Sequence, residues 1–589
     1  MSAYAAPLED LRFLFEEVLD FDNGMAALFP DLGIDTALAM SALEEAGHFC
    51  ADVLHPLNRS GDEEGCRLEA GQVVTATGFR EAYAGFVAAG WAGLSGDPAY
   101  GGQGLPRTLQ LALDEMVSAT NMSFGLFPGL TRGATEALAH HADDTIKATY
   151  LSKMISGEWT GVMALTEASA GTDLGLLSTR AVPNGDGSYA VTGTKIFISS
   201  GDHDFGGNIV HLVLARLPDA PKGVKGISLF VVPKFLVNPD GSLGARNPVH
   251  VGSLEHKMGI HAQPTCVMNY EGATGWLVGE ANRGLAAMFT MMNAERLFVG
   301  IQGLGVAHAA YQTAASYAKE RLQGRSPDGT TAPAPIIVHA DVRRMLLTIR
   351  AFVEPARALA LWTATQMDRA GHHPDADTRR QADGLVALLT PVIKAAFTDF
   401  ALESTVLAQQ VFGGHGYIRE TGVEQLVRDA RITQIYEGTN GVQAADLAGR
   451  KLLMEGGRLP EAFFAQIAAD LAAARLVPGA AEIAGPVADA LDRLRTLTAD
   501  LQRHGEDVVR TGAAATDYLR FFALVALGWM WVRMAAASLS KGTETTPFHR
   551  AKVDLARFFM AKLLPQTLGL EQSIKAGPAT LMALVGDLF

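Results

Sequence analysis

Cysteine is nearly missing from this chain of 589 residues, with only Cys50, Cys66 and Cys266 present. They are odd in number, far apart and form no CxxC pair, which excludes a disulfide framework or a zinc site and fits a reducing compartment. A positive excess is missing too, since 48 lysines and arginines face 63 aspartates and glutamates for a formal charge of −15. That balance opposes general affinity for nucleic acid or an anionic membrane, and leaves room for a small anion at a local arginine or helix N-terminus. No long unbroken apolar run occurs. The most membrane-like stretch, Phe521 to Val532, is bounded by Arg520 and Arg533 and is far shorter than the ~20 residues of a span, so a buried helix is expected. The opening MSAYAAPLEDLRFLFEEVLDFDNG has neither a basic n-region nor a continuous apolar core, and a cytoplasmic protein is the expectation.

What is present is helical periodicity interrupted once. From Leu8 to about Gly161, stretches such as DTALAMSALEEAGHFCADVL and PRTLQLALDEMVSATNMSF repeat apolar positions at three and four, with a Gly- and Pro-rich loop at Gly96 to Pro106 between them. At Trp159 the texture changes to short β-branched segments, YAVTGTKIFISS, NIVHLVLARL, KGISLFVVPKF, VHVGSLEHKM and TCVMNYEGA, which predict a small antiparallel β-domain. Helices resume at Arg283 and continue to the end, broken at Ser326 to Pro335. The expected class is α+β in four parts: an N-terminal helical domain (1–160), a β-domain (161–275), a four-helix bundle (276–458) and a C-terminal helical extension (459–589).

Chemistry concentrates in Arg428 to Gly441, RDARITQIYEGTNG. Ile435 and Tyr436 deliver Glu437 to a break at Gly438, Thr439 and Asn440. Apolar neighbours would strip water from that carboxylate and make it a stronger base, and Gly438 leaves room for a ligand against the backbone. A plain turn, with Asn440 capping the next helix, is the competing reading. ALTEASAGTDLG (Ala164 to Gly175) offers Thr166, Thr172 and the amides of Gly171 and Gly175 to a phosphate or a heterocycle edge, or is a simple loop. In TKIFISSGD, Phe197 and Ser199 share one side of a strand, an aromatic plane beside a hydroxyl.

MALTEASAGTD, GTKIFISS, MNAERL, YAKERLQG, QVFGGHGY and VRDARITQIYEGTNG, in this order, resemble the acyl-CoA dehydrogenase family over roughly Met1 to Met454. The opening, the ERLQGR and HADVRRML strings and the C-terminal part are similar to its larger bacterial branch, which includes enzymes of 3-methylmercaptopropionyl-CoA. The resemblance implies FAD between β-domain and bundle, an acyl-CoA thioester on the flavin face, desaturation to the 2-enoyl-CoA, and an electron-transferring flavoprotein as acceptor. It implies that Leu165 and Thr166 bind the flavin pyrimidine edge, that Thr172 lies near the pyrophosphate, that Phe197 packs on the ring and that Ser199 meets N5. It places Arg321, Gln410, Gly413 and Gly414 on the FAD of a neighbouring subunit, hence a homodimer or larger, and Thr439 on FAD beyond the base. Gly441 stands where relatives often have Gln, and that contact is not carried over. Asn293 and Arg296 would line the CoA region, with Gly438 beside the substrate and Glu437 as catalytic base. Glu295 lies near where a minority of the family places its base. Two other activities on this fold stay open, an acyl-CoA oxidase and a flavin-containing nucleic-acid-binding protein; the second wants a basic C-terminal surface, which the interspersed acids of 459–589 do not provide. No metal is expected.

Overall fold

The computed structural model describes residues 4–589; residues 1–3, where the expected N-terminal domain begins, lie outside it. The chain divides into two compact units, one formed by Met1–His48, Pro106–Ala119 and Val299–Phe589, the other by Phe49–Leu105 and Thr120–Phe298. Two long helices, α1 (Arg107–His141) and α2 (Gly284–Glu320), supply residues to both. α1 leaves helical geometry at Asn121 (φ −159°, ψ 89°). There the Asn121 side chain accepts the Phe124 N–H at 3.0 Å, as an N-cap does, and the helix restarts.

The second unit is built on a seven-stranded sheet: β1 (Thr160–Ala164), β2 (Arg180–Pro183), β3 (Tyr189–Ser199), β4 (Ile209–Arg216), β5 (Ile227–Pro233), β6 (Val249–Leu254) and β7 (Thr265–Val278). The order is β6-β7-β3-β2-β4-β1, and β5 pairs with both β7 and β4, so the sheet closes on itself. Pairing is antiparallel as expected, except that β1 and one residue of β2 run parallel to β4. β4 and β5 are buried on both faces and mostly apolar because both faces are covered. On one side Leu212, Leu214 and Leu229 meet Leu138 of α1 and Met291 of α2, while Val213, Phe230 and Tyr270 fill the other.

The first unit is helical. After α2 come α3 (Ala340–His372), α4 (Ala376–Val411), α5 (Val423–Thr433) and α6 (Asn440–Gly449). They are followed by α7 (Arg458–Ala474), α8 (Ala481–Arg503), α9 (Val508–Ser540) and α10 (Pro547–Lys562). Gly300 lets α2 approach α4, since a Cβ there would lie 2.5 Å from Ile393. Phe352 of α3 stacks on Phe400 of α4 with ring centroids 5.0 Å apart. The run Phe521 to Val532 lies inside α9, where Phe521, Phe522, Trp529 and Trp531 are fully buried and Trp531 donates to the Ala351 carbonyl of α3 at 3.0 Å. Both α4 and α9 are long and apolar enough to cross a membrane, yet 78% of each most apolar window is buried within the protein. Helices apolar all round are what a core flanked on several sides requires.

Candidate active site

In the second unit, β3 presents an open aromatic surface. Lys195 pairs with Met268 and Ile198 with Cys266, so Ile196 and Phe197 form a bulge opposite Val267. Phe197 takes a left-handed conformation there (φ 60°), and the residue is 59% exposed. A bulky residue in that region costs about 1–3 kcal/mol, so the neighbouring structure must impose it. Ile198 is buried, and Ser199 returns to the side of Phe197, half-buried.

The loop after β1 runs beside this platform. The Thr166 carbonyl accepts from the Ile196 N–H at 2.9 Å, whereas among the described residues its own amide and hydroxyl have no acceptor. Leu165 is buried and Thr166 half-buried. Unpaired donors beside an exposed aromatic plane suit the polar edge and the face of a flavin, so the residues present fit FAD. Thr172 is exposed further along the loop. The Gly175 amide, expected to be free for a phosphate, is instead held by Asp173 Oδ1 at 2.9 Å, because Asp173 caps the short helical turn that follows it.

Two residues that sequence reasoning passed over fix this loop. Lys195, fully buried, donates to the Leu165 carbonyl at 2.9 Å and to Glu167 Oε1 at 2.8 Å. Glu167 also accepts from the amides and hydroxyls of Ser178 and Thr179 at 2.6–3.0 Å. Burial by itself would raise the Glu167 carboxyl, but Lys195 and the two hydroxyls outweigh it and hold it down at about 2. Burial pushes Lys195 down to about 8 against the pull of Glu167. An acid and a lysine separated by one run of loop and one strand were the available signal, but nothing in their spacing joins them.

In the same unit, Asn293 is exposed on α2 and accepts from the Arg296 guanidinium at 3.1 Å. Arg296 itself is only 7% exposed and lies over the Phe289 ring at 5.9 Å. Asn293 is therefore the accessible polar group of that pair. Glu295 is buried against α1: a Cβ on Gly133 would sit 2.6 Å from its Oε1.

In the first unit, the turn after α5 carries Glu437. Tyr436 donates its hydroxyl to Gln302 of α2, and the Glu437 carbonyl accepts from Gln443 Nε2 at 3.2 Å. Glu437 adopts φ 57° and Gly438 φ 82°, two left-handed residues in succession. Only Gly does so without strain, so Glu437 is held there by its surroundings. The cap of α6 differs from expectation: Thr439 accepts the Val442 N–H at 3.3 Å. Asn440 is the first helical residue, and its side chain turns to α4. It donates to the Ala395 carbonyl, Thr398 Oγ1 and Asp399 Oδ1 at 3.1, 2.9 and 2.7 Å, and accepts from Lys394 Nζ at 2.9 Å.

Elsewhere on this unit Arg321, Gln410, Gly413 and Gly414 are exposed. Among the described residues no side-chain partner occupies Arg321 or Gln410. Gly413 takes φ 59°, and the stack of Tyr317 on Phe412 at 4.0 Å anchors the turn. Tyr417 and Ile418, 85% and 48% exposed, follow directly.

Family models describing the acyl-CoA dehydrogenase N-terminal, middle and C-terminal domains match residues 39–158, 162–273 and 282–452. A model described as acetyl-CoA dehydrogenase C-terminal like matches 463–585. The chain is 45% identical over 574 residues to 3-methylmercaptopropionyl-CoA dehydrogenase of Ruegeria pomeroyi, covering 95% of this chain and 96% of that one. It is 34% identical over 610 residues to a butyryl-CoA dehydrogenase of Syntrophomonas wolfei, covering 100% and 99%. A solved acyl-CoA dehydrogenase of Bacillus anthracis in complex with FAD matches with TM-score 0.75 at 18% identity, covering 96% and 91%, a likeness of fold.

Proposed function

The chain belongs to the acyl-CoA dehydrogenase family, and from that premise we propose that it desaturates a short acyl-CoA, foremost 3-methylmercaptopropionyl-CoA, with Glu437 as the base. The reaction class is FAD-dependent α,β-desaturation of a thioester to the 2-enoyl-CoA. The observation that carries the assignment of the base is the turn itself: Glu437 is kept at φ 57° by contacts on either side of it, backbone strain of the kind that gathers at catalytic residues. The buried position of Glu295 against Gly133, in a helix-to-helix contact, favours Glu437 over it.

FAD, when bound, supplies the two-electron acceptor for the hydrogen leaving Cβ. The α-hydrogen of a thioester is a weak acid, so its carbonyl must be polarised as the proton leaves. The Glu437 N–H is the donor we assign to that carbonyl, while its carboxylate takes the proton from Cα. Thr166 would offer its amide and hydroxyl to the flavin edge beside Leu165, Phe197 would orient the ring, and Ser199 and Thr172 would hold the N5 and pyrophosphate sides. Thr439, already the cap of α6, would contact FAD with its remaining capacity. Asn293 and Gly438 border the thioester ligand, with Arg296 behind Asn293.

The remaining assignments rest on exposure and on the family resemblance. Arg321, Gln410, Gly413 and Gly414 reach the FAD of a second subunit, which makes the active form a homodimer or larger; the neighbouring exposed Tyr417 and Ile418 suit a covered interface. Electrons leave to an electron-transferring flavoprotein, and the protein works in the cytoplasm. The substrate choice follows the 45% relative, which matches nearly end to end.

The test is anaerobic mixing of the purified flavoprotein with a panel of acyl-CoA thioesters, read as loss of visible flavin absorbance. Fastest bleaching by 3-methylmercaptopropionyl-CoA is expected. Faster bleaching by butyryl-CoA or a longer chain overturns the substrate assignment, and rapid reoxidation by air without added acceptor overturns dehydrogenase in favour of oxidase.

A further inference from the structure

The segment Gln434 to Asn440, with Glu437 at its middle, is closed at its base by the Asn440 N–H on the Gln434 carbonyl at 3.1 Å. Its two ends also converge on one atom of α4. Asp399 Oδ1 accepts from Gln434 Nε2 at 2.6 Å and from Asn440 Nδ2 at 2.7 Å. We propose that Asp399 is a positioning residue for the reaction, a single carboxylate oxygen that staples both ends of the turn and so aims Glu437. The proposal rests on the reading of Glu437 as the base.

Three observations support it. First, Glu437 and Gly438 sit in the left-handed region, and such a turn relaxes unless both ends are fixed. Second, Tyr436 on Gln302 precedes the base, and Lys394, Ala395 and Thr398 hold Asn440 after it. Asp399, by contrast, joins the two ends through a third element. Third, Asp399 is half-buried, and burial raises its carboxyl above the usual range while the bonds from Gln434 and Asn440 oppose that rise. A buried acid is costly unless its acceptors are used, and both donors that use Oδ1 belong to this turn.

A base displaced by about 1 Å loses on the order of 100-fold in rate. Asp399→Ala is therefore expected to lower the limiting rate of flavin reduction by about 10- to 100-fold, with FAD retained and the acyl-CoA concentration for half-maximal rate changed less than about threefold. Asp399→Asn keeps an acceptor oxygen and recovers most of the loss. Gln434→Ala removes one leg, gives a smaller loss in the same direction, and adds nothing when combined with Asp399→Ala. It also serves if Asp399→Ala does not fold. A wild-type limiting rate in Asp399→Ala or Gln434→Ala overturns the staple, as does a loss that Asp399→Asn shares in full or one that lies wholly in thermal stability. Glu437→Gln separates the two claims: if it still reduces flavin, the reading of the base has failed, whereas an inactive Glu437→Gln beside a fully active Asp399→Ala removes only the staple.

Discussion

Lys195 Nζ lies 2.8 Å from Glu167 Oε1, with the two side chains 0% and 5% exposed. The shifts of the pair oppose one another, since burial drives the lysine down while the lysine and neighbouring hydroxyls hold the acid down against burial. A pair of this kind adds little net stability, because desolvation offsets attraction. Its effect is geometric. It ties the Leu165 carbonyl and the Ser178–Thr179 backbone to β3, and so sets where the free amide and hydroxyl of Thr166 lie relative to Phe197.

Lys195→Met should cost about 3–5 kcal/mol, because it leaves a carboxylate buried with only hydroxyl and amide donors. Combined with Glu167→Gln, most of that loss returns, whereas affinity for FAD stays low in both variants because the Leu165 carbonyl is released. Urea unfolding of the apoprotein and titration with FAD read the two quantities separately. Equal recovery of stability and of FAD affinity in the double variant would remove the geometric role.

Glu437→Gln should retain FAD and slow flavin reduction by about 10²–10⁴-fold, the usual share of a general base. Glu437→Gly removes the base as well and also the left-handed penalty of a side chain, so it should be inactive yet as stable as the parent or more so by up to about 1 kcal/mol. Thermal unfolding beside stopped-flow absorbance checks both. A Gly variant markedly less stable than the parent would show that Glu437 holds the turn rather than being held by it.

Much of this was readable along the chain. The helices and strands follow from periodicity, and the strings around Phe197, Glu437 and Gly413 carry the family resemblance without any knowledge of contacts. The reason is that each lies within one element or one turn. What could not be read is pairing at a distance. Asp399 and Asn440 are 41 positions apart, and no local rule selects that acid over others on α4. The cap of α6 fell to Thr439 because Asn440 had better partners on another helix, a tertiary preference over a local one. The bulge at Phe197 depends on how β7 pairs with β3, which alternation in β3 alone does not reveal.

Glu295 and Gly133 give a second separation of the two acids. Glu295→Gln, isosteric in its contact with Gly133, should leave most of the flavin reduction in place. Gly133→Ala puts a Cβ 2.6 Å from the Glu295 carboxylate and should destabilise by about 1–3 kcal/mol, the range for overpacking. Turnover per bound flavin and the urea midpoint are the readouts. Loss of turnover in Glu295→Gln with Glu437 intact would move the base to α2.

A buried charged cluster of the first unit joins the helix Leu8–Phe13 to the C-terminal extension. Lys552 of α10 contacts Asp10, in the helix Leu8–Phe13, and lies 2.7 Å from Glu354 of α3. Arg357 reaches Asp10 at 2.7 Å and Glu115 at 2.5 Å, and Arg350 reaches Glu354 at 2.5 Å. Burial would raise the Asp10 carboxyl, but Lys552 and Arg357 bring it down from 3.8 to about 2. A carboxyl with a depressed folded pKa contributes stability that is present above pH 3.8 and lost as the pH falls toward 2. Lys552→Met leaves Asp10 and Glu354 with one arginine each, and should cost about 2–4 kcal/mol at neutral pH. With its largest attraction gone, Asp10 takes up its proton at higher pH, so the part of the acid loss that Asp10 contributes begins earlier in the variant. Unfolding free energies across the acid range decide it. An acid limb unmoved by Lys552→Met would mean that Arg357 and Arg350 hold Asp10 ionised without help from the extension.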